Sequence, residues 1–381
     1  MAPTIPKTQK QWTLEGKRGI DSLTWNDQAP VPEVGEYDVL VKFHAASLNY
    51  RDLTIPIEGG YPFPTTDSVI PGSDGAGEIV ATGSKVTRFT VGDLVLTLFN
   101  QEHLSGFLTP RARMTGLGGQ LDGTLRQYGA FHELGVVKMP GNLDVMEAAT
   151  LSCAALTAWN ALYGVEGRAL RPGDWVLTQG TGGVSMFGLQ VCSIHHPPSF
   201  AFPAVYWGSS LYVDMVSQFA KAAGAKVIAT TSSAAKAEKL KQLGADHVIN
   251  YKTQPHWGEM ARELTGSHEG VAHVIEVGGP TTVAESLAAV RMEGVISIIG
   301  YIGGQTEVQP TFHETLVRDC IVRGIQIGSR EQLEAMNRAV EGCDIHPVVD
   351  EKVFRLEELK EAYQYMWDQK HFGKLRIKIE H

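Results

Sequence analysis

Trp175-Val176-Leu177-Thr178-Gln179-Gly180-Thr181-Gly182-Gly183-Val184 is the stretch that decides the fold. Trp175 to Thr178 form a short apolar run fit for a buried parallel strand, and Arg171-Pro172-Gly173-Asp174 ahead of it reads as a turn. A glycine turn and a stretch with helical spacing follow, in the order that a dinucleotide phosphate site requires. Glycines let the backbone approach a pyrophosphate, whose charge meets the free N–H groups and positive dipole end of the helix. Glycines occur in any loop, so the turn by itself is weak evidence.

The helix opened by this turn is expected to be interrupted after Gln190. With Val191 to Gln218 set aside, Val184, Phe187, Gly188, Phe219, Ala220 and Ala223 fall on one helical face, and Ala225 to Thr230 follow as a second strand. The intervening 28 residues carry Pro197, Pro198 and Pro203, which exclude a continuous helix, and an aromatic load costly to expose: Phe200, Phe202, Tyr206, Trp207 and Tyr212. Two origins fit. One is a family-specific excursion packed on the surface or on a partner subunit. The other is a translated intron, because valine codons begin with GT, glutamine can be encoded by CAG, and excision restores the helical register. Deleting the segment is then expected to raise thermal stability and tighten cofactor binding.

At 381 residues the chain has room for two domains with sizeable cores, and its 43% apolar content argues against disorder. A formal charge of -9 disfavours nucleic acid or an anionic membrane surface as partner. Cys153, Cys192, Cys320 and Cys343 form no close-spaced framework, which points to a reducing, cytoplasmic setting. The amino end has no apolar core of a signal peptide, and no run is long enough to span a bilayer.

Organisation changes near residue 150. Before it lie short strand-like stretches such as Asp38 to Phe43 and Glu78 to Ala81, separated by Pro-Gly and Gly-Asp turns, which predict a β-rich domain. After it, strands at Trp175 to Thr178, Lys226 to Thr230, Val248 to Asn250, Ala272 to Glu276 and Gly294 to Gly300 alternate with helical stretches. The helix Ala234 to Leu243 should stop at Gly244. Such alternation predicts an α/β fold with a mainly parallel sheet covered on both faces. A helix over Glu357 to Gln369 and a last strand over Lys374 to Ile379 most economically rejoin the first domain.

Six ordered segments resemble the medium-chain dehydrogenase/reductase superfamily, specifically its zinc-independent quinone- and enoyl-reductase-like branch, often labelled alcohol dehydrogenase-like. They are Ala46 to Asp52, Pro71 to Gly77, Val91-Gly92-Asp93, Leu151 to Trp159, the glycine turn, and Leu243 to Tyr251 with its Gly244-Ala245-Asp246 centre; Phe372-Gly373-Lys374 extends the likeness to the carboxyl end. The resemblance implies a GroES-like β-rich catalytic domain from residues 1–155 and 331–381, and a Rossmann doubly wound sheet over 156–330 interrupted by 191–218. It also implies an active-site cleft at the domain junction.

Zinc-bearing relatives place Cys where this chain has Asn49 and His where it has Ser73, leaving Cys153 alone, and the Leu94 to Gln120 stretch holds no cysteine cluster. One thiol cannot fix a zinc ion that needs three protein ligands, so no metal is expected. For the cofactor, the resemblance assigns Thr157, Gly180, Gly182, Gly183, Val184, Gly278 and Gly300. At the end of the second strand, Thr230-Thr231-Ser232-Ser233 and Lys236 replace the acidic residue of NAD-specific relatives. Hydroxyls can donate to a 2'-phosphate and a lysine can offset its charge, which favours NADPH over NADH. The family adds Tyr251 near that phosphate and Lys374 near the cofactor.

Without zinc, the chemistry that fits is hydride addition to an enone, enoyl ester or quinone, with charge on oxygen met by hydrogen-bond donors. Tyr50 is the first candidate donor, Asn49 a candidate for orienting a small-molecule substrate, and Asp52 a further candidate in the same segment. Arg51 and Asp52 can equally be a structural ion pair. His44, His132, Arg111 and Arg113 have ordinary packing or surface roles as their default, and His195-His196 lies in the suspect segment. Zinc-free alcohol or aldehyde oxidoreduction, and cofactor binding without turnover, are the alternative functions. Family habit implies a homodimer, with Gly294 to Gly300 as the plausible edge strand.

Overall fold

The alternating strands and helices that begin at Trp175 fold into one six-stranded sheet. The computed structural model describes residues 5–192, 224–301, 303–304, 306–307 and 309–381. We label its strands β1 (Trp175–Gln179), β2 (Lys226–Thr231), β3 (His247–Asn250), β4 (Val271–Glu276), β5 (Val290–Ile298) and β6 (Ile321–Gly324). They stand in the order β3-β2-β1-β4-β5-β6 with every pair parallel. Strand succession reverses between β1 and β4. In doubly wound sheets, ligands bind beyond the carboxyl ends of the strands at such a switch point.

Both faces of this sheet are covered, as continuous apolar strands require. Leu177, Ile228, Val274 and Ile296 join Trp257, Ala261 and Leu287 from the covering helices in one core. The Gly183–Cys192 helix lies close on β1 and β4 because Gly188 has no side chain: a Cβ there would strike the tip of Ile275. That helix runs two residues past Gln190, since no helix breaker precedes Pro197. The remainder of the 191–218 segment lies outside the described residues, except for the helical Val191 and Cys192. The helix Ala234–Gln242 is capped by Ser233, whose Oγ accepts from the Lys236 N–H at 3.4 Å, and it ends at Gly244 with φ +100°.

One expectation is corrected here. Residues Gly294 to Ile298 belong to β5, which is flanked by β4 and β6, so this stretch is interior to the sheet. The edge is β6. Its four residues, Ile-Val-Arg-Gly, are too few to announce a strand by periodicity.

The contacts of the chain divide it into two compact units, one of residues 1–156, 327–341 and 346–381, the other of 157–326 and 342–345. The first is β-rich. Its larger sheet runs through Val349–Arg355, Lys374–Lys378, Asp38–Ser47, Asp74–Thr82, Leu94–Thr97 and Val136–Lys138, with Tyr128–His132 also paired to Asp38–Ser47. The last strand does join this domain: Arg376, Ile377 and Lys378 lie opposite Ser47, Ala46 and Ala45 in antiparallel register. Phe43, Ile79, Leu125 and Ile377 pack with Tyr363 and Leu359 of the Leu359–Trp367 helix. Trp12 ties the small amino-terminal sheet to the same core through an Nε1–H bond of 2.7 Å to the Leu356 carbonyl. No helix among the described residues is long and apolar enough to cross a membrane.

Candidate functional site

In the α/β unit the glycine, hydroxyl and Tyr251 candidates collect at the carboxyl ends of β1 to β5. The turn after β1 starts at Gly180, held at φ +74°, a conformation that side chains disfavour, with its N–H bonded to the Thr230 carbonyl at 2.9 Å. The Gly182 carbonyl accepts the first helical bond from Met186 N–H at 3.0 Å, which makes Gly182 the cap of the Gly183–Cys192 helix, with Val184 in its first turn. A Cβ added at Gly180 or Gly182 would meet nothing within 4 Å. Open space over a glycine cap at a helix start is what a pyrophosphate needs, so the residues present fit a dinucleotide.

Beside this turn, β2 ends in Thr231, which pairs with Asn250, while the N–H of Tyr251 bonds to the Thr231 carbonyl at 3.1 Å. Thr231, Ser232, Ser233, Lys236 and Tyr251 are thereby brought to one sheet end. Thr231 is buried, and its Oγ accepts from the Ser233 N–H at 3.3 Å; the Tyr251 ring is 43% exposed. No carboxylate stands at the end of β2.

A residue that sequence reasoning missed organises the third loop. Glu276 closes β4 and is fully buried. Its Oε1 accepts from the N–H groups of Gly278 and Gly279 at 2.8 and 2.9 Å and from the Thr282 hydroxyl at 2.6 Å. Its Oε2 accepts from Gln179 Nε2 at 2.7 Å and from the Ser286 hydroxyl. Gln179 returns its own Oε1 to the N–H groups of Val277 and Gly278, both at 3.1 Å. The Glu276 carbonyl accepts from Ile299 N–H at 2.8 Å and Gly300 N–H at 3.4 Å. One residue therefore ties together the loops bearing Gly180, Gly278 and Gly300. The available signal was an acidic residue ending an otherwise apolar buried strand.

In the β-rich unit, Asn49 caps the short Tyr50–Thr54 helix, and Asp52 Oδ2 accepts from the Asn49 N–H at 2.8 Å. Asp52 is buried, with Oδ1 3.7 Å from the Arg51 guanidinium; burial first of all pushes its carboxyl up to about 6, against the pull of Arg51. Arg51 also donates to the Leu117 carbonyl at 2.8 Å and lies over the Phe99 ring at 4.6 Å. These contacts make Arg51 and Asp52 the fastening of this segment. Tyr50 points outward and is 38% exposed.

Lys374 is placed in this unit too, and only 2% exposed. Its Nζ donates to the Leu48 carbonyl at 2.9 Å, to Asn49 Oδ1 at 2.7 Å and to Asp74 Oδ2 at 2.9 Å. All three ammonium donors are engaged inside the protein, which leaves none for the cofactor contact that the family likeness implied. Asp74 further accepts from the hydroxyls of Ser47 and Ser73 at 3.0 and 2.9 Å, and Asn49 Nδ2 donates to Ser73 Oγ at 3.4 Å.

This donor set does not fit zinc. The Asn49 oxygen already holds an ammonium, Ser73 is tied to a carboxylate, and burial, reinforced by the Asp74 charge, drives the Cys153 thiol well above its ordinary range. One thiol beside an engaged amide and hydroxyl falls short of the three protein ligands that zinc takes. Among the described residues, no three His, Cys, Asp or Glu side chains group as a ligand set. Removing one partner of the buried ion pair leaves an uncompensated charge, so Lys374→Met and Asp74→Asn should each lose about 3–5 kcal/mol. In denaturant unfolding the double variant should lose clearly less than the two single losses added.

Thr157 is buried near the start of the Leu156–Tyr163 helix, which continues a π-helical turn over Leu151–Ala155. Arg111 forms a forked, exposed pair with Glu102 at 2.6 and 3.1 Å, and Arg113 lies over the Phe63 ring at 4.4 Å. His44 is 4.0 Å from Glu78, and His132 accepts from the Leu134 N–H at 3.1 Å. These are surface and packing roles. His195-His196 lies outside the described residues.

Comparison with known proteins adds names to this geometry. The model of the alcohol dehydrogenase GroES-like domain matches residues 35–141, and that of the zinc-binding dehydrogenase matches residues 214–342. A zinc-type alcohol dehydrogenase-like protein of Schizosaccharomyces pombe is 41% identical over 365 residues, covering 95% of this chain and 96% of its own. The 2-methylene-furan-3-one reductase of Solanum lycopersicum is 27% identical, covering 98% of this chain and 80% of its own. A solved NAD-dependent alcohol dehydrogenase superposes with a TM-score of 0.78 at 29% identity, covering 97% of this chain and all of that one.

Proposed function

The chain belongs to the medium-chain dehydrogenase/reductase superfamily of oxidoreductases, and on that premise we propose that it is a zinc-independent, NADPH-dependent reductase of activated double bonds or quinones. The observation that carries the nucleotide is the open glycine cap at Gly180 to Gly183 on the switch point of the sheet. A bound nicotinamide supplies the hydride. The protein's part is to hold the nucleotide, to orient a small conjugated carbonyl compound and to donate a hydrogen bond where charge develops on oxygen. Tyr50 is the donor in this reading. Its backbone is fixed by the Asn49–Asp52 cap while its ring stays accessible. The ammonium of Lys374, held by Asp74 and Asn49, stands among the residues that carry metal ligands in zinc-bearing relatives, and this supports chemistry without a Lewis acid.

The cofactor reading rests on β2 ending in hydroxyls. A carboxylate would repel a 2'-phosphate; Thr231, Ser232 and Ser233 can donate to it, Lys236 can offset its charge, and the exposed Tyr251 ring can cover it. With an enone as acceptor, kcat/KM for NADPH is expected to exceed that for NADH at least tenfold. Ser232→Asp should reverse the order by lowering the NADPH value by about two orders of magnitude. Equal efficiencies in the parent protein would remove the preference. Alcohol-dependent reduction of NADP⁺ without enone reduction would favour alcohol oxidoreduction, and tight binding without turnover would favour a cofactor-binding protein. For a homodimer, the exposed edge β6, beside the outward Phe312, Leu316 and Val317, is the joining face in this reading.

A further inference from the structure

The β-rich unit contains a cavity of about 830 Å³, lined by none of the residues assigned to the cofactor or to catalysis, between the loop of residues 101–122 and the Tyr128–His132 strand. That volume suits a small organic ligand. Its lining is mainly apolar, with Leu104, Leu117, Leu121, Phe131 and Leu134 among its walls. Arg126 is one of the lining residues and is only 6% exposed. Its Nε is buried and has no hydrogen-bond partner among the described residues, and its guanidinium lies 5.5 Å from the Phe131 ring centre. Burial pushes its pKa down to about 10, with only the charge of Asp122 acting the other way.

A buried guanidinium with an unmet donor is costly, and an anion is its natural complement. The rim restricts which anion. Asp122 lines the cavity beside Glu102, whose charge Arg111 offsets, so Asp122 repels a doubly charged phosphate more strongly than a single carboxylate, which can pair with the planar fork of Arg126. Arg111 does not compete for the ligand, because Glu102 already holds it through two bonds. We propose that this cavity is a binding site, separate from the glycine turn, for a monocarboxylate with an apolar body, its carboxylate on Arg126 and its body against Leu117 and Phe131.

The test is calorimetric titration of the full chain with octanoate, with octan-1-ol and inorganic phosphate as controls. Saturable octanoate binding with a Kd below 1 mM is expected, with octanol and phosphate each at least tenfold weaker. Arg126→Met should weaken octanoate at least tenfold and Arg126→Lys by less. Since the methionine variant removes a buried, unpaired charge, its melting temperature should match or exceed that of the parent. Octanoate affinity unchanged in Arg126→Met, octanol or phosphate binding as tight as octanoate, or absence of saturable binding would each overturn the proposal. The octanol comparison needs no variant, so a poorly folding Arg126→Met does not blunt it. Octanoate should also bind when NADPH is saturating; displacement by NADPH would overturn the separateness of the site, while failure of NADPH to bind at all bears on the proposed reductase and not on this cavity.

Discussion

Glu276→Ala is expected to lower the stability of the α/β unit by about 3–5 kcal/mol, the largest loss from any single substitution at the sheet end. The side chain is fully buried and receives five donors, from Gln179, Gly278, Gly279, Thr282 and Ser286. Alanine leaves these donors without an acceptor in a place where water does not reach them. At roughly 2–4 °C per kcal/mol for a unit of this size, melting should fall by about 10 °C. Thr282→Val removes one donor and its bond together, and should cost only about 1 kcal/mol. A melting temperature for Glu276→Ala within 2 °C of the parent, on the order of the 1 kcal/mol scale used here, would mean that the network is dispensable.

Gly182→Asp should behave in the opposite way, silent for the fold and severe for the cofactor. A Cβ at this position meets nothing within 4 Å, and aspartate is a favoured residue at a helix cap, where its charge suits the dipole. The apo protein should melt at the parent's temperature or slightly above it. The same carboxylate would stand where the proposed pyrophosphate site lies. Two like charges about 5 Å apart at an effective dielectric constant near 20 repel by roughly 3 kcal/mol, so NADPH affinity should fall by about two orders of magnitude. Unchanged NADPH affinity in a well-folded Gly182→Asp protein would place the nucleotide elsewhere.

What could be read from the sequence was what is local. The β1 run, the glycine turn, the alternation of strands and helices and the cap at Gly244 are each set by neighbouring residues, and each is found where its residues place it. The return of Lys374–Lys378 to the first domain was legible as well, because a lone final strand needs a sheet to join. Pairings across the chain were not legible. Lys374 meets Asp74 over a separation of 300 residues, and Gln179 meets Glu276 over 97, and no periodicity announces either. Lys374 read as a cofactor residue because its own segment contains nothing that reveals Asp74. Arg126 gave no signal for a related reason: its isolation is a property of the walls around it, which come from Pro32 and from residues on either side of it within 101–134.

Hydride transfer without zinc is tested by NADPH consumption in protein dialysed against a strong chelator, with a conjugated enone as acceptor and metal content determined on the same sample. Turnover is expected in protein holding far less than one metal ion per chain, unchanged when zinc is returned, because Asn49, Ser73 and Lys374 are already engaged with one another and with Asp74. Turnover that appears only after zinc is restored, in step with the amount of zinc bound, would contradict it.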